Sequence, residues 1–389
     1  MPRTRHYQPW VPGGSMQDPW LQPATARRNR MQERMATKMK KRETRVRPMR
    51  VYVRPKSQAE RGHRSRMVMP KPKELAPGLQ PTPEHDLQFN GGKTIANLAY
   101  ANFYVGGSDA WNPADMQSID TALAAAMSDQ NLNNVMVQYY PSGQISTNFL
   151  GSQVLSGPPP AVVSQGDVEN LVRSLFSGGQ LDKFDASSTV VNFLLPSGTI
   201  LNTNEAPTNA VINARIEGAA PPEDKKVAAA AIPHDEEEDS TQGLGGYHGS
   251  VHVGTPETIV YYAVGVFSEQ LPDGTTNGIP VFDQPWKNVV GTFYHELNEA
   301  RTDPDVEDAI RAGNDPSAVK FLGWTSQQGE ECGDFPVFEA NPLTQVFQEV
   351  PLTNGPNTVP VQFQYSNAVH GPEGPTPNPE RMKQAASRK

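Results

Sequence analysis

The sequence predicts an α+β domain over residues 87–372, flanked by disordered termini. Short runs of β-branched and aromatic residues alternate with segments of helical period between residues 93 and 371. With 37 prolines and only 36% hydrophobic residues in a chain of 389, there is too little apolar material for a core from end to end. The charge is also lopsided. Residues 1–75 hold 20 Lys and Arg against 5 Asp and Glu, leaving 14 against 37 for the remainder.

Residues 1–86 are rich in Pro, Arg, Lys, Met and Gln without sustained periodicity, and KMKKRETRVRPMRVYVRPK is their densest basic run. A disordered arm is expected there, able to attract nucleic acid or an anionic surface through counterion release. The core begins at KTIANLAYANFYVGG, a strand ending at Gly106 and Gly107. WNPADMQSIDTALAAAM follows as a helix, with Pro113 near its start and Met116, Ile119, Leu123 and Met127 at helical spacing. NVMVQYY reads as a strand, closed by Pro141, Ser142 and Gly143. In GDVENLVRSLFSGG, Val168, Leu171, Val172 and Leu175 share one helical face. STVVNFLLPSGT is almost wholly apolar, as expected of a strand buried on both faces.

Residues 217–242 form a Pro-bracketed acidic insert whose HDEEED run reads as a solvated loop. Structure resumes with GYHGSVHV and ETIVYYAVGVF, both strand-like. DQPWKNVVGTFYHELNEARTD places Val289, Val290, Phe293, Tyr294 and Leu297 on helical spacing until Pro304 stops it. Gly323-Trp324, the acidic turn GEECGD and the half-extended VPVQFQYSNAVHG complete the domain, and residues 373–389 form a frayed tail.

Several function classes are set aside. A single cysteine, Cys332, excludes an internal disulfide framework. No apolar run approaches the length of a membrane span, and no secretory h-region is visible, so a cytoplasmic location follows from a literal reading. There is no phosphate-cradling glycine loop and no GxSxG elbow.

The chemistry gathers on the helix at residue 295. His295 and Glu299 are four residues apart and point the same way, with Glu296 just round the same side. This HExxE pattern is HExxH with its second histidine replaced by a carboxylate. In the parent motif both histidines ligate zinc and the glutamate polarises a water. A zincin-like mixed sheet around this core helix is therefore expected. The expected cofactor is a divalent metal, zinc first, although the harder carboxylate makes manganese, iron and calcium competitors. Asp303, Asp305, Glu330, Glu331 and Asp334 follow at distances suited to a further ligand. Upstream, His248 and His252 share a strand face, and His248 is a candidate fourth ligand or stabiliser of an oxyanion.

Taken in order, these motifs resemble the phosphate-induced, or exordium-like, proteins of plants and their bacterial relatives. HELNEARTDP from His295 to Pro304 is similar to the family's helix motif, Gly323-Trp324 to its GWY-like pair, and GEECGD to its GxEIGD-like turn. GYHGS, VVNFLLPSG and QYSNAVHG match further segments, so the likeness covers residues 95–372. By position, the resemblance carries His295, Glu296, Glu299 and Asp303 onto the family helix, Glu331 and Asp334 onto the turn, and His248 onto the upstream segment. It implies association with growth and cell walls, an extracellular location, and a peptide or cell-wall and surface component as partner. The plant members are exported and richer in cysteine, which this chain is not. The reading that results is a metal-dependent, peptidase-like hydrolase. His295 and Glu299 hold the ion, Glu331 is the third ligand with Asp303 and Asp334 as rivals, Glu296 is the general base, and His248 assists. The alternative is a non-catalytic exordium-like protein with a structural metal or none.

Overall fold

The computed structural model describes residues 75–205, 207, 239–313 and 315–377. The basic arm up to residue 74, most of the acidic insert and the tail beyond 377 lie outside them, and with them the expected contact with nucleic acid or an anionic surface. Among the described residues no helix is long and apolar enough to cross a membrane.

A five-stranded mixed sheet organises the α+β core. Its strands are β1 (Asn97–Tyr104), β2 (Ser146–Val154), β3 (Thr189–Leu194), β4 (Gly246–Val253) and β5 (Thr258–Gly265), in the order β2-β1-β3-β5-β4. The first four in that order run parallel, and β4 closes one edge antiparallel to β5. Every residue of the central β3 is buried, as its continuous apolar run requires. Alternation sends Val190 and Leu194 to one face and Val191 and Phe193 to the other. The first face packs on α1 (Pro113–Ser128) and α4 (Pro285–Thr302). The second packs on α3 (Gln165–Ser177), whose Val168, Leu171, Val172 and Leu175 form the expected stripe.

Asn134–Tyr140 departs from expectation. The segment is not a strand but the end of helix α2 (Gln130–Met136) followed by a 3-10 turn over Val137–Tyr139. Its β-branched and aromatic content favoured a strand, but the Asp129 carboxylate accepts from Asn131 N (2.9 Å) and Leu132 N (3.1 Å), nucleating a helix. Leu132, Val135 and Met136 then face the core at helical spacing.

Helix α4 is the central element. Pro285 occupies its first turn, where a missing N–H costs nothing, and every residue from Asn288 to Thr302 is buried. Arg301 on its rear face donates to the Ser146 carbonyl and the Thr147 hydroxyl, tying the helix to β2. Beyond α4 come α5 (Val306–Ala312), α6 (Asp334–Glu339) and a hairpin of β6 (Phe347–Pro351) and β7 (Thr358–Gln362) that covers α4. The packed core also reaches past residues 87 and 372. Leu75 bridges Glu373, Tyr365 Oη donates to the Thr82 carbonyl (2.6 Å), and Thr376 N donates to the Asn131 carbonyl (2.9 Å).

Asp129 also accepts from Thr353 N (2.6 Å) and Thr353 Oγ1 (2.9 Å), so one carboxylate caps α2 and anchors a distant loop. Asp129→Ala is expected to cost about 2–3 kcal/mol of unfolding free energy by urea denaturation. Asp129→Asn should recover part of that loss, because it keeps an acceptor for the cap.

Candidate metal centre

Four elements converge on one buried space. Helix α4 supplies His295, Glu296 and Glu299, and edge strand β4 supplies His248. The chain leaving α4 supplies Asp303, and the turn ahead of α6 supplies Glu331 and Asp334. All are 0–1% exposed except His248, at 5%.

His295 is held by a residue that the motif does not contain. Its Nδ1 makes a short hydrogen bond with Gln362 Oε1. Gln362 is oriented by two carbonyls, since its Nε2 donates to Gly333 O (2.7 Å) and Phe363 O (3.0 Å). With the amide oxygen thus turned to the ring, Nδ1 carries the proton and Nε2 is left as a lone pair. That lone pair lies 3.0 Å from Glu299 Oε2 and 3.9 Å from Glu296 Oε1. It makes no aligned hydrogen bond with either, and neither does Glu296 Oε1. With the proton on Nδ1, Nε2 and the carboxylate oxygens are acceptors brought together, as the ligands of one ion are. Two ligand atoms about 2.1 Å from one ion in tetrahedral disposition stand about 3.4 Å apart.

A second set of contacts lies beside the first. His248 Nδ1 is 3.4 Å from Glu296 Oε2 and 3.7 Å from Glu299 Oε2, while its Nε2 is 3.6 Å from Glu331 Oε1 and 3.3 Å from the Asp303 carbonyl. Neither oxygen of Glu331 has a hydrogen-bond partner among the described residues. Two triads thus have ligand atoms within 4.8 Å of one another: His295 with Glu296 and Glu299, and His248 with Glu299 and Glu331.

Asp303 and Asp334 are each tied to backbone through one oxygen. Asp303 Oδ1 accepts from Gly323 N (2.8 Å) and Asp334 Oδ2 from Glu331 N (2.8 Å). Their second oxygens are buried without a hydrogen-bond partner among the described residues. Both side chains therefore shape the ligand-bearing chain and still present an oxygen inside the core. His252 leaves the site, reaching Asp308 (2.9 Å) and Glu257 (3.1 Å) near the surface. Glu330 turns away to His85 (2.7 Å), and Asp305 accepts from the Tyr261 hydroxyl (2.8 Å). Cys332 is fully buried beside Thr302 and Gln364, with burial pushing its thiol pKa up, so it is no nucleophile.

Burial sets the electrostatics. It drives the carboxyls of Glu299, Asp303, Glu331 and Asp334 well above the usual carboxylate range, and neighbouring carboxylates add to the effect. Burial pulls His248 down, but its hydrogen bond to Glu296 and the charges of Glu299 and Glu296 outweigh it and leave its pKa raised. Among the described residues the cationic or basic side chains within 4 Å of the site carboxylates are His248 and His295, and none is Lys or Arg.

No family model, curated protein or solved structure matches the chain. The resemblance to exordium-like proteins therefore rests on the motifs alone, and the chemistry must be argued from the geometry.

Gln362 and Gly333 are the positioning residues that sequence reasoning missed. A signal for the first existed, since Gln362 and Gln364 interrupt an otherwise apolar strand at buried positions. Gly333 is required by close approach, because a Cβ there would lie 2.2 Å from His295 Nδ1. Gly333→Ala is expected to weaken zinc binding about 10–100-fold in a competition titration, with the sheet intact by circular dichroism.

The pKa shifts set a sign for pH dependence. A carboxyl raised above its unfolded value of ~4 holds more protons in the folded chain, so metal-free stability falls as pH rises from there through the folded value. The raised His248 acts in the same direction. Chelator-treated protein should melt at a higher temperature at about pH 5.5 than at about pH 7.5, and zinc should remove that slope. A metal-free Tm that climbs over this window would contradict the assignment.

Proposed function

We propose that the chain is a metal-dependent hydrolase of zincin-like architecture, acting on a peptide or a related acyl bond. The observation that carries the reading is the convergence of partnerless lone pairs on His295 Nε2, Glu296 Oε1 and both oxygens of Glu331 inside a closed core. Burying such groups without a compensating cation is costly, and a divalent metal supplies that compensation. The donor set fits: imidazole nitrogen and carboxylate oxygen are ligands of zinc, and its carboxylate weight also admits manganese or iron.

In this reading His295, Glu299 and Glu331 hold the ion, with His248 among the ligands rather than at an oxyanion, because it faces three carboxylates. The ion, when bound, supplies a water whose pKa falls to about 7. Glu296 would act as the base at Oε1, the oxygen that no described group engages, taking up the proton that such a water gives up. Its other oxygen, 3.4 Å from His248 Nδ1, keeps the carboxylate turned toward the site. Gln362 fixes the tautomer of His295.

One observation favours a second reading. Ligands only 0–5% exposed match a closed structural ion, as in a non-catalytic exordium-like protein, better than a site with an open coordination position. Glu296→Gln separates the two. For a hydrolase it should retain metal and lose about 10²–10⁴-fold of the hydrolytic rate on a peptide and amide library, whereas His295→Ala should lose both. Wild-type protein at full metal occupancy that is no faster than Glu296→Gln leaves the structural ion as the function.

A further inference from the structure

We infer that the centre takes two divalent ions that share Glu299, one on the His295 side and one on the His248–Glu331 side. This rests on the metal-centre reading above and goes beyond its single ion.

The two triads meet at Glu299. Its Oε1 is engaged by the N–H of Gly333 at 2.9 Å, leaving Oε2 to face the site. That single oxygen lies 3.0 Å from His295 Nε2 and 3.7 Å from His248 Nδ1, so both histidines look at it. Glu296 spans the same pair, with Oε1 3.9 Å from His295 Nε2 and Oε2 3.4 Å from His248 Nδ1. A carboxylate oxygen lying between two imidazoles, as Glu299 Oε2 does, is the donor pattern of a two-ion centre, in which the ions stand about 3.5–4 Å apart; Glu296 beside it keeps its role as base. The two triads have Glu299 in common, and neither contains both histidines.

Charge balance agrees. Glu296, Glu299, Asp303, Glu331 and Asp334 are five carboxylates, all buried, and both histidines are neutral as ligands. One divalent ion leaves a formal charge of −3 and two leave −1. With no Lys or Arg paired to them among the described residues, the second ion is the compensation the chain itself does not supply. Atoms without a hydrogen-bond partner among the described residues stand on both sides: His295 Nε2 on one, and Glu331 Oε1, 3.6 Å from His248 Nε2, on the other.

The test is titration of chelator-washed, full-length protein with manganese(II), followed by electron paramagnetic resonance. Two tightly held equivalents whose spectrum shows exchange coupling between neighbouring ions are expected. Glu331→Gln, which keeps the shape of the side chain, should hold one equivalent with an uncoupled six-line signal. The wild-type spectrum decides without relying on any variant's folding. One equivalent, or two uncoupled ones, overturns the shared centre and leaves the single-ion reading standing. No tightly bound manganese or zinc overturns both.

Discussion

Five carboxylates and two histidines share one space in the interior of this protein, and nothing cationic among the described residues is paired with the carboxylates except those histidines. Isolated buried charge is among the most expensive things a fold can hold, so the arrangement persists only with protons or cations in place. Much of the surrounding architecture follows from that constraint. Gln362 fixes the proton of one histidine, Gly333 brings a backbone N–H to Glu299, and Gly323 does the same for Asp303. Each leaves a defined lone pair facing inward and satisfies the rest of its group.

The sheet explains how these groups meet. Helices lie on the connections from β1 to β2 and from β2 to β3, whereas β4 comes between β3 and β5 in the chain and forms the antiparallel edge, beside α4. His248 thereby reaches Glu296 and Glu299 across 48 or more residues of sequence. The hairpin of β6 and β7 closes the opposite side and brings Gln362 in. The same packing that assembles these side chains also seals them from solvent.

Legibility differed from element to element for physical reasons. Helix α4, strand β3 and the stripe on α3 were visible because their periodicity and their burial coincide. Asn134–Tyr140 misled because β-branched and aromatic residues also suit a short buried helix once Asp129 caps it. In the site, His295, Glu296 and Glu299 could be grouped by helical spacing alone. Glu331 was selected from several acids in the turn, but spacing could not separate it from Glu330, whose side chain leaves for His85.

What the sequence determined by itself was the local geometry: a buried helix carrying HELNE, a strand carrying His248 with His252 on the same face, and an acidic turn after Gly323-Trp324. These follow from 3.6- and 2-residue periods, which need no knowledge of neighbours. Only the tertiary structure decided which of those groups share a space. Whether His248 faces Glu299, whether Asp303 spends one oxygen on Gly323, and which nitrogen of His295 keeps its lone pair depend on contacts between residues far apart in the chain. No local period encodes such contacts, because they are fixed by how the helix, the edge strand and the hairpin pack.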